Sequence, residues 1–151
     1  MPAAIDTDTA QRLRVAFGRL ARLLRATDAS GAAAELTPTR VVVLLNAVRN
    51  GPIRLAEIAE QEGLNPTLLS RTLAHLLDAG LVVRTADAAD RRSAWIDATE
   101  AGRELAEEIR KHRTRALREA LSGLADDDQG ALERALPALE QLAERLAQGR
   151  S

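Results

Sequence analysis

The chain has 151 residues, 46% of them hydrophobic, and a net charge of −1, which indicates one domain with a buried core and argues against a general polyanion binder. Cysteine is absent and the two histidines are far apart in sequence, so we expect no disulfide, thiol redox sensor, metal site or cofactor. No apolar run reaches the length of a membrane span and the N-terminus is too polar for a secretory signal, which predicts a cytoplasmic protein without membrane contact.

The first predicted element is an amphipathic helix. Leu13, Phe17, Leu20 and Leu24 are spaced four, three and four residues apart, which places them in one stripe along a helix. The pattern ends in a segment rich in Ala, Ser and Gly at 26–34, which is typical of a linker.

Two further helices are predicted from their end signals. Thr37 suits an N-cap and Pro38 the first helical position, and this helix should end at 49–52, where Gly and Pro occur together. A shorter helix should follow within 54–63 and end at Gly63.

A fourth helix, 66–78, should begin after only a short turn. Asn65 is a good N-cap, and a stripe of leucines predicts the side that packs on the core. The exposed face then carries small and polar side chains and one long cation. These residues are Thr67, Ser70, Arg71, Ala74 and His75.

Two β-rich segments follow, 81–85 and 94–98, and they enclose the octet "ADAADRRS". Because eight residues are too many for a tight turn, we expect a two-stranded hairpin with an open tip.

The C-terminal third should again be helical. Thr99 is placed to cap a long helix that runs from Glu100 to about Leu121. The segment 125–130 should end that helix and supply caps for the last one, in which Pro137 is expected to introduce a kink.

Together these elements predict a mainly α fold (an α+β winged helix-turn-helix) with about six helices and a two-stranded β-wing. The second helix of such a motif can enter a DNA major groove. The same pattern fits a three-helix core without a DNA role, because winged helices also serve as protein-docking modules. An enzyme is not expected, since we find no nucleophile–base pair and no phosphate-binding glycine loop.

The segment from Leu36 to Gly102 resembles the core of the MarR family of bacterial transcriptional regulators. The most specific matches are "SRTLAHLLDAGLVVR" (70–84), "DRR" (90–92) and "TEAG" (99–102). The order of the flanking helices also agrees with that family.

The resemblance implies a single MarR-like domain over the whole chain. It implies a winged helix-turn-helix lobe at 36–99 and a homodimer formed by the terminal helices at 1–27 and 100–148. Many members of the family repress genes until a small ligand releases them from DNA. We therefore expect a sequence-specific, ligand-responsive repressor that binds a palindromic double-stranded operator as a homodimer; the alternative is a winged-helix interaction module without DNA binding.

The resemblance also assigns residues to the DNA contact. Thr67, Ser70 and Arg71 correspond to the positions that contact the major groove. Asp90 and Arg92 correspond to a wing pair, in which the acid orients an arginine that reaches the minor groove.

Four other residues are interpreted without the family. Arg91 is left for a phosphate or for solvent. Arg54 precedes a helix, where a cation opposes the helix dipole, so either a nearby phosphate or simple surface tolerance explains it. His75 is either a contact or a plain surface residue. Trp95 we expect to cover the hydrophobic face of the wing.

Overall fold

The computed structural model describes residues 5–31, 33–90 and 93–149, without the side chain of Ser30. The chain divides into two compact units, residues 1–114 and 115–151. None of the helices in these described ranges is both long and apolar enough to cross a membrane. In chain order the elements are α1 (Thr7–Ala26), a 3₁₀ turn (Thr27–Ser30), α2 (Pro38–Asn50), β1 (Ile53–Arg54), α3 (Leu55–Glu62), α4 (Pro66–Asp78), β2 (Val82–Ala86), β3 (Ala94–Ala98), α5 (Glu100–Ser122) and α6 (Asp126–Gln148).

The predicted helix ends are confirmed where a local signal sets them. The Thr37 hydroxyl accepts a hydrogen bond from the Arg40 amide at 3.4 Å and begins α2. The Asn65 side chain accepts one from the Leu68 amide at 2.8 Å and begins α4. Gly63 ends α3 in the left-handed region at φ 64°, which glycine adopts without strain.

The core of the first unit lies between α2, α3, α4 and the inner face of the sheet. The predicted stripe on α4 is confirmed in part, because Leu69, Leu73 and Leu76 are buried whereas Leu77 is only partly buried. The other buried members of this cluster are Val43, Leu44, Ala47, Ile53, Ile58, Val82 and Ile96.

The sheet has three antiparallel strands in the order β1–β3–β2, rather than the two that were predicted. The added strand, β1, pairs Ile53 with Ile96 and Arg54 with Trp95. Two residues are too few to show the alternation of a strand, so β1 exists only because β3 lies beside it. The hairpin itself is as expected, with Val82 opposite Ala98.

The start of α5 is fixed against the turn that follows α4. The Thr99 hydroxyl donates to the Gly80 carbonyl at 2.6 Å and accepts from the Gly102 amide at 3.0 Å. Gly102 approaches the Leu81 carbonyl so closely that an added Cβ would collide with that oxygen. The "TEAG" segment therefore fixes the start of α5 against the turn between α4 and β2.

The last helix corrects one expectation. Segment 125–130 was predicted to supply its caps, but the N-cap is Ala125, which makes no side-chain cap bond, and the three aspartates 126–128 lie within the first turn. There their charges favour the positive end of the helix dipole without capping it. The helix is continuous through Pro137.

Both terminal helices expose apolar side chains. No residue of α1 or α6 is buried. The predicted stripe on α1 is in fact largely open to solvent, with Leu20 50% exposed, and Leu136 on α6 is 52% exposed. Helices with such faces normally bury them against another surface.

Candidate nucleic-acid interface

The outer face of α4 is the first part of the candidate interface. Thr67, Ser70, Arg71 and His75 are all exposed, together with Ala74, as predicted. The leucines on the opposite face hold the helix on the core, so this polar face points outward. An α-helix with small side chains on its outer face fits the width of the DNA major groove.

The wing is the second part. The Asp87 amide donates to the Ser93 carbonyl at 3.2 Å, and the Ser93 amide donates to the Asp90 carbonyl at 2.9 Å. These bonds link Ser93 to Asp87 and Asp90 across the tip of the wing. Arg91 and Arg92 lie outside the described residues, so their assignment to phosphate and minor groove stays a prediction.

A cleft of about 450 Å³ separates the start of α4 from the wing. It brings together three residues that were predicted for the site, Arg54, Ser70 and Asp90. Arg84 on β2 also lines this cleft and was not predicted as a site residue.

Arg54 has partners within the protein. Its guanidinium Nη2 donates to Asp87 Oδ2 at 3.1 Å, and its Cζ lies 4.9 Å from the centre of the Trp95 ring. Its backbone amide donates to Glu57 Oε2 at 2.9 Å. An arginine has no acceptor with which to cap α3, but Glu57 places a negative charge in the first turn, where the dipole favours it. These contacts give Arg54 partners within the protein, and its contact with a phosphate stays a prediction.

Asp87 is a second residue near the wing that the sequence analysis did not predict. It is 7% exposed, and its Oδ1 accepts from the Ala89 amide at 2.9 Å. That bond, together with the charge of Arg54 and weaker bonds from the Asp90 amide and the Trp95 side chain, lowers the pKa of Asp87 despite the opposing effect of burial. The sequence signal was present, since an aspartate often accepts from the amide two residues on.

Trp95 lies on the outer face of the sheet. In the antiparallel register it is opposite both Arg54 and Thr85, while its neighbours Ala94 and Ile96 are buried on the inner face. A guanidinium within about 6 Å of an indole centre is attracted by the ring quadrupole. The expectation that Trp95 covers the wing thus gains a specific partner, Arg54.

Comparisons with known proteins agree with this geometry. The sequence model of the MarR family matches residues 36–94. The uncharacterized HTH-type transcriptional regulator Mb0904 of Mycobacterium bovis is 28% identical over 84% of this chain and 87% of its own length.

Two solved structures show the same fold. The crystal structure of MarR superposes with a TM-score of 0.72 at 23% identity, covering 88% of this chain and 98% of that one. Streptococcus pneumoniae FabT, solved in complex with DNA, superposes with a TM-score of 0.64 at 13% identity, covering 91% of this chain and 96% of that one. The chain therefore has the winged-helix fold of these structures, and its residues 36–94 are similar to the MarR family.

Proposed function

We propose that the protein is a homodimeric, sequence-specific DNA-binding transcriptional regulator that acts as a repressor, and that it is not an enzyme. The observation that carries this proposal is the exposed polar face of α4 beside the wing, with Leu69, Leu73 and Leu76 of α4 buried in the core. FabT, which shares the fold and was solved in complex with DNA, supports DNA binding by this chain.

In this proposal α4 enters the major groove. Thr67, Ser70 and Arg71 contact base edges and phosphates there, with His75 one turn further along the same face. An arginine can donate two hydrogen bonds to a guanine, whereas hydroxyls accept and donate with little preference. The wing tip, with Asp90, then lies over the adjacent minor groove. Arg92 is proposed to enter that groove, and Arg91 is left for a phosphate or for solvent.

A homodimer is supported by the apolar faces of α1 and α6. Apolar faces of this kind are normally covered by another protein surface. A second copy of the chain would cover the same faces on both protomers. A twofold dimer would present two α4 helices about 34–36 Å apart, or a multiple of that distance, and would therefore read a palindrome.

A small-molecule effector is proposed for release from the operator. Because the chain has no cysteine, a thiol switch cannot supply the signal. A ligand that binds one arrangement of the dimer more tightly than the other would shift the population away from the DNA-binding form.

The experiment that tests the proposal is selection of bound duplexes from a random DNA pool, followed by titration at several salt concentrations. We expect an enriched palindrome and an affinity that falls steeply as salt rises, because cationic side chains displace condensed counterions. Enrichment of no sequence, with weak and uniform binding, would contradict the proposal and favour a protein-docking role.

A further inference from the structure

We propose that Arg54, Asp87 and Trp95, called here the wing cluster, set the position of the wing tip relative to α4. In this arrangement Arg54 is a positioning residue and not a free phosphate contact. The inference rests on the proposed DNA-binding function, because the tip matters only if the wing approaches a duplex. It concerns residues of this chain that lie outside the "DRR" segment.

The first step is the location of each member. Arg54 ends β1 and directly precedes α3, Asp87 directly follows β2, and Trp95 lies within β3. The cluster therefore joins all three strands at the level where the hairpin opens into its tip. Its two charged members are 33 residues apart in sequence.

The second step is the chain of contacts from the tip to the recognition helix. Asp87 holds the first turn of the tip through the Ala89 amide and through its own bond to Ser93. The same carboxylate binds Arg54, whose backbone starts α3, and α3 packs on α4 through Ile58. A shift of the tip would therefore break a contact that is anchored on the helix-turn-helix.

The third step is electrostatic. The Arg54 side chain is 48% exposed, but its charge is matched by a carboxylate that is only 8% exposed. The pair has no net charge, so it adds little to the attraction for DNA. The Trp95 face further restricts the guanidinium, which lowers the entropy that the wing would lose on binding.

A second ion pair, between β3 and the first turns of α5, provides a matched control. Arg103 Nη2 lies 3.0 Å from Asp97 Oδ1, and the Arg103 side chain is 46% exposed. This pair joins the outer face of β3 to α5, at the far end of the strand from the tip. Removing it changes charge in the same way without touching the wing cluster.

The test compares Arg54→Ala, Asp87→Asn, their double variant and Arg103→Ala, all in the full chain. In free protein, amide hydrogen exchange at Ala89 and Ser93 should accelerate in the first three and stay unchanged in Arg103→Ala. The emission of Trp95, the single tryptophan, should shift to longer wavelength in Arg54→Ala as the ring loses its cover. Unchanged exchange at the tip would overturn the inference without any use of DNA.

The DNA measurement uses the duplex selected with the wild-type protein. Arg54→Ala and Asp87→Asn should each weaken binding about 10-fold, and the double variant about 10-fold rather than about 100-fold, because the two residues act as a unit. Asp87→Asn is the decisive variant, because the inference expects weaker DNA binding from it. Removal of a negative charge near DNA should otherwise tighten binding. Normal or tighter binding by Asp87→Asn would overturn the inference, whereas failure of the wild type to bind any selected duplex would contradict the proposed function instead.

Discussion

Asp28 and Arg113 are 85 residues apart in sequence and form an ion pair with two hydrogen bonds. Arg113 Nε lies 2.9 Å from Asp28 Oδ1, and its Nη2 lies 2.6 Å from Oδ2. The Asp28 side chain is 9% exposed and that of Arg113 25% exposed. The pair therefore fastens the 3₁₀ turn after α1 to the middle of α5, in a setting where water screens it little.

Asp28→Asn should lower the free energy of unfolding by about 2–3 kcal/mol, because Arg113 keeps its charge but loses the carboxylate that balances it. Chemical denaturation followed by circular dichroism measures this change. The control is Glu108→Gln, which removes an exposed pair with Lys111 on the same helix and should cost less than about 0.5 kcal/mol. Equal effects of the two substitutions would contradict the role given to Asp28.

Gly102→Ala should destabilise the protein by about 3 kcal/mol, the upper end of the usual cost of overpacking. The new Cβ would meet the Leu81 carbonyl, a backbone atom that cannot rotate away. Gly18→Ala is the matched control, because it adds the same methyl group within a helix where nothing lies within 4 Å. It should leave stability unchanged or raise it by about 1 kcal/mol.

Asp87→Asn should lower thermal stability at neutral pH, and the difference from the wild type should shrink in acid. The pKa of Asp87 is lowered in the fold, chiefly by the Ala89 amide. A lowered pKa stabilises the fold fully above the ordinary value near 3.8, and that contribution is lost as pH falls through the folded pKa.

Melting temperatures of the two proteins between neutral pH and pH 3 measure this effect. Asp6, whose pKa is lowered by the Thr9 amide, is present in both proteins and cancels in the difference. A gap that stays constant down to pH 3 would show that the Asp87 charge does not contribute.

The sequence predicted the features that depend on neighbouring residues and missed those that depend on contacts between distant segments. The helices followed from signals within a few residues, such as the Asn65 cap and the leucine stripe of α4. Strand β1 and the pairing of Arg54 with Asp87 depend on segments that meet only after folding, so no local pattern reveals them. The dipole argument identified Arg54 as unusual but could not name the carboxylate that compensates it.

Substitution of a charge into the apolar face of either terminal helix should disrupt the proposed dimer. Leu20→Arg on α1 and Leu136→Arg on α6 each place a cation at a leucine that is about half exposed in the single chain. Burying that charge against a second copy would cost more than the contact gains. Sedimentation should show monomer for both variants at concentrations where the wild type is dimeric.

The control for the dimer is Val83→Arg, which alters an apolar side chain of similar exposure, 47%, on the wing. It should leave the sedimentation coefficient unchanged. Dimers of normal stability in both terminal-helix variants would mean that α1 and α6 do not form the interface.

Arg71→Ala and Arg84→Ala should weaken DNA binding in different ways. Arg71 lies on the exposed face of α4, so its loss should cost about 1–3 kcal/mol on the selected duplex and relax the preference at one or two base pairs. Arg84 lies on β2 at the edge of the cleft, where a phosphate is the expected partner. Its loss should weaken all duplexes alike and reduce the salt dependence by the equivalent of about one counterion.

Repeating the duplex selection with each variant, and titrating each at several salt concentrations, measures both effects. If Arg71→Ala selects the same sequence as the wild type with undiminished preference, α4 does not read the bases through this side chain.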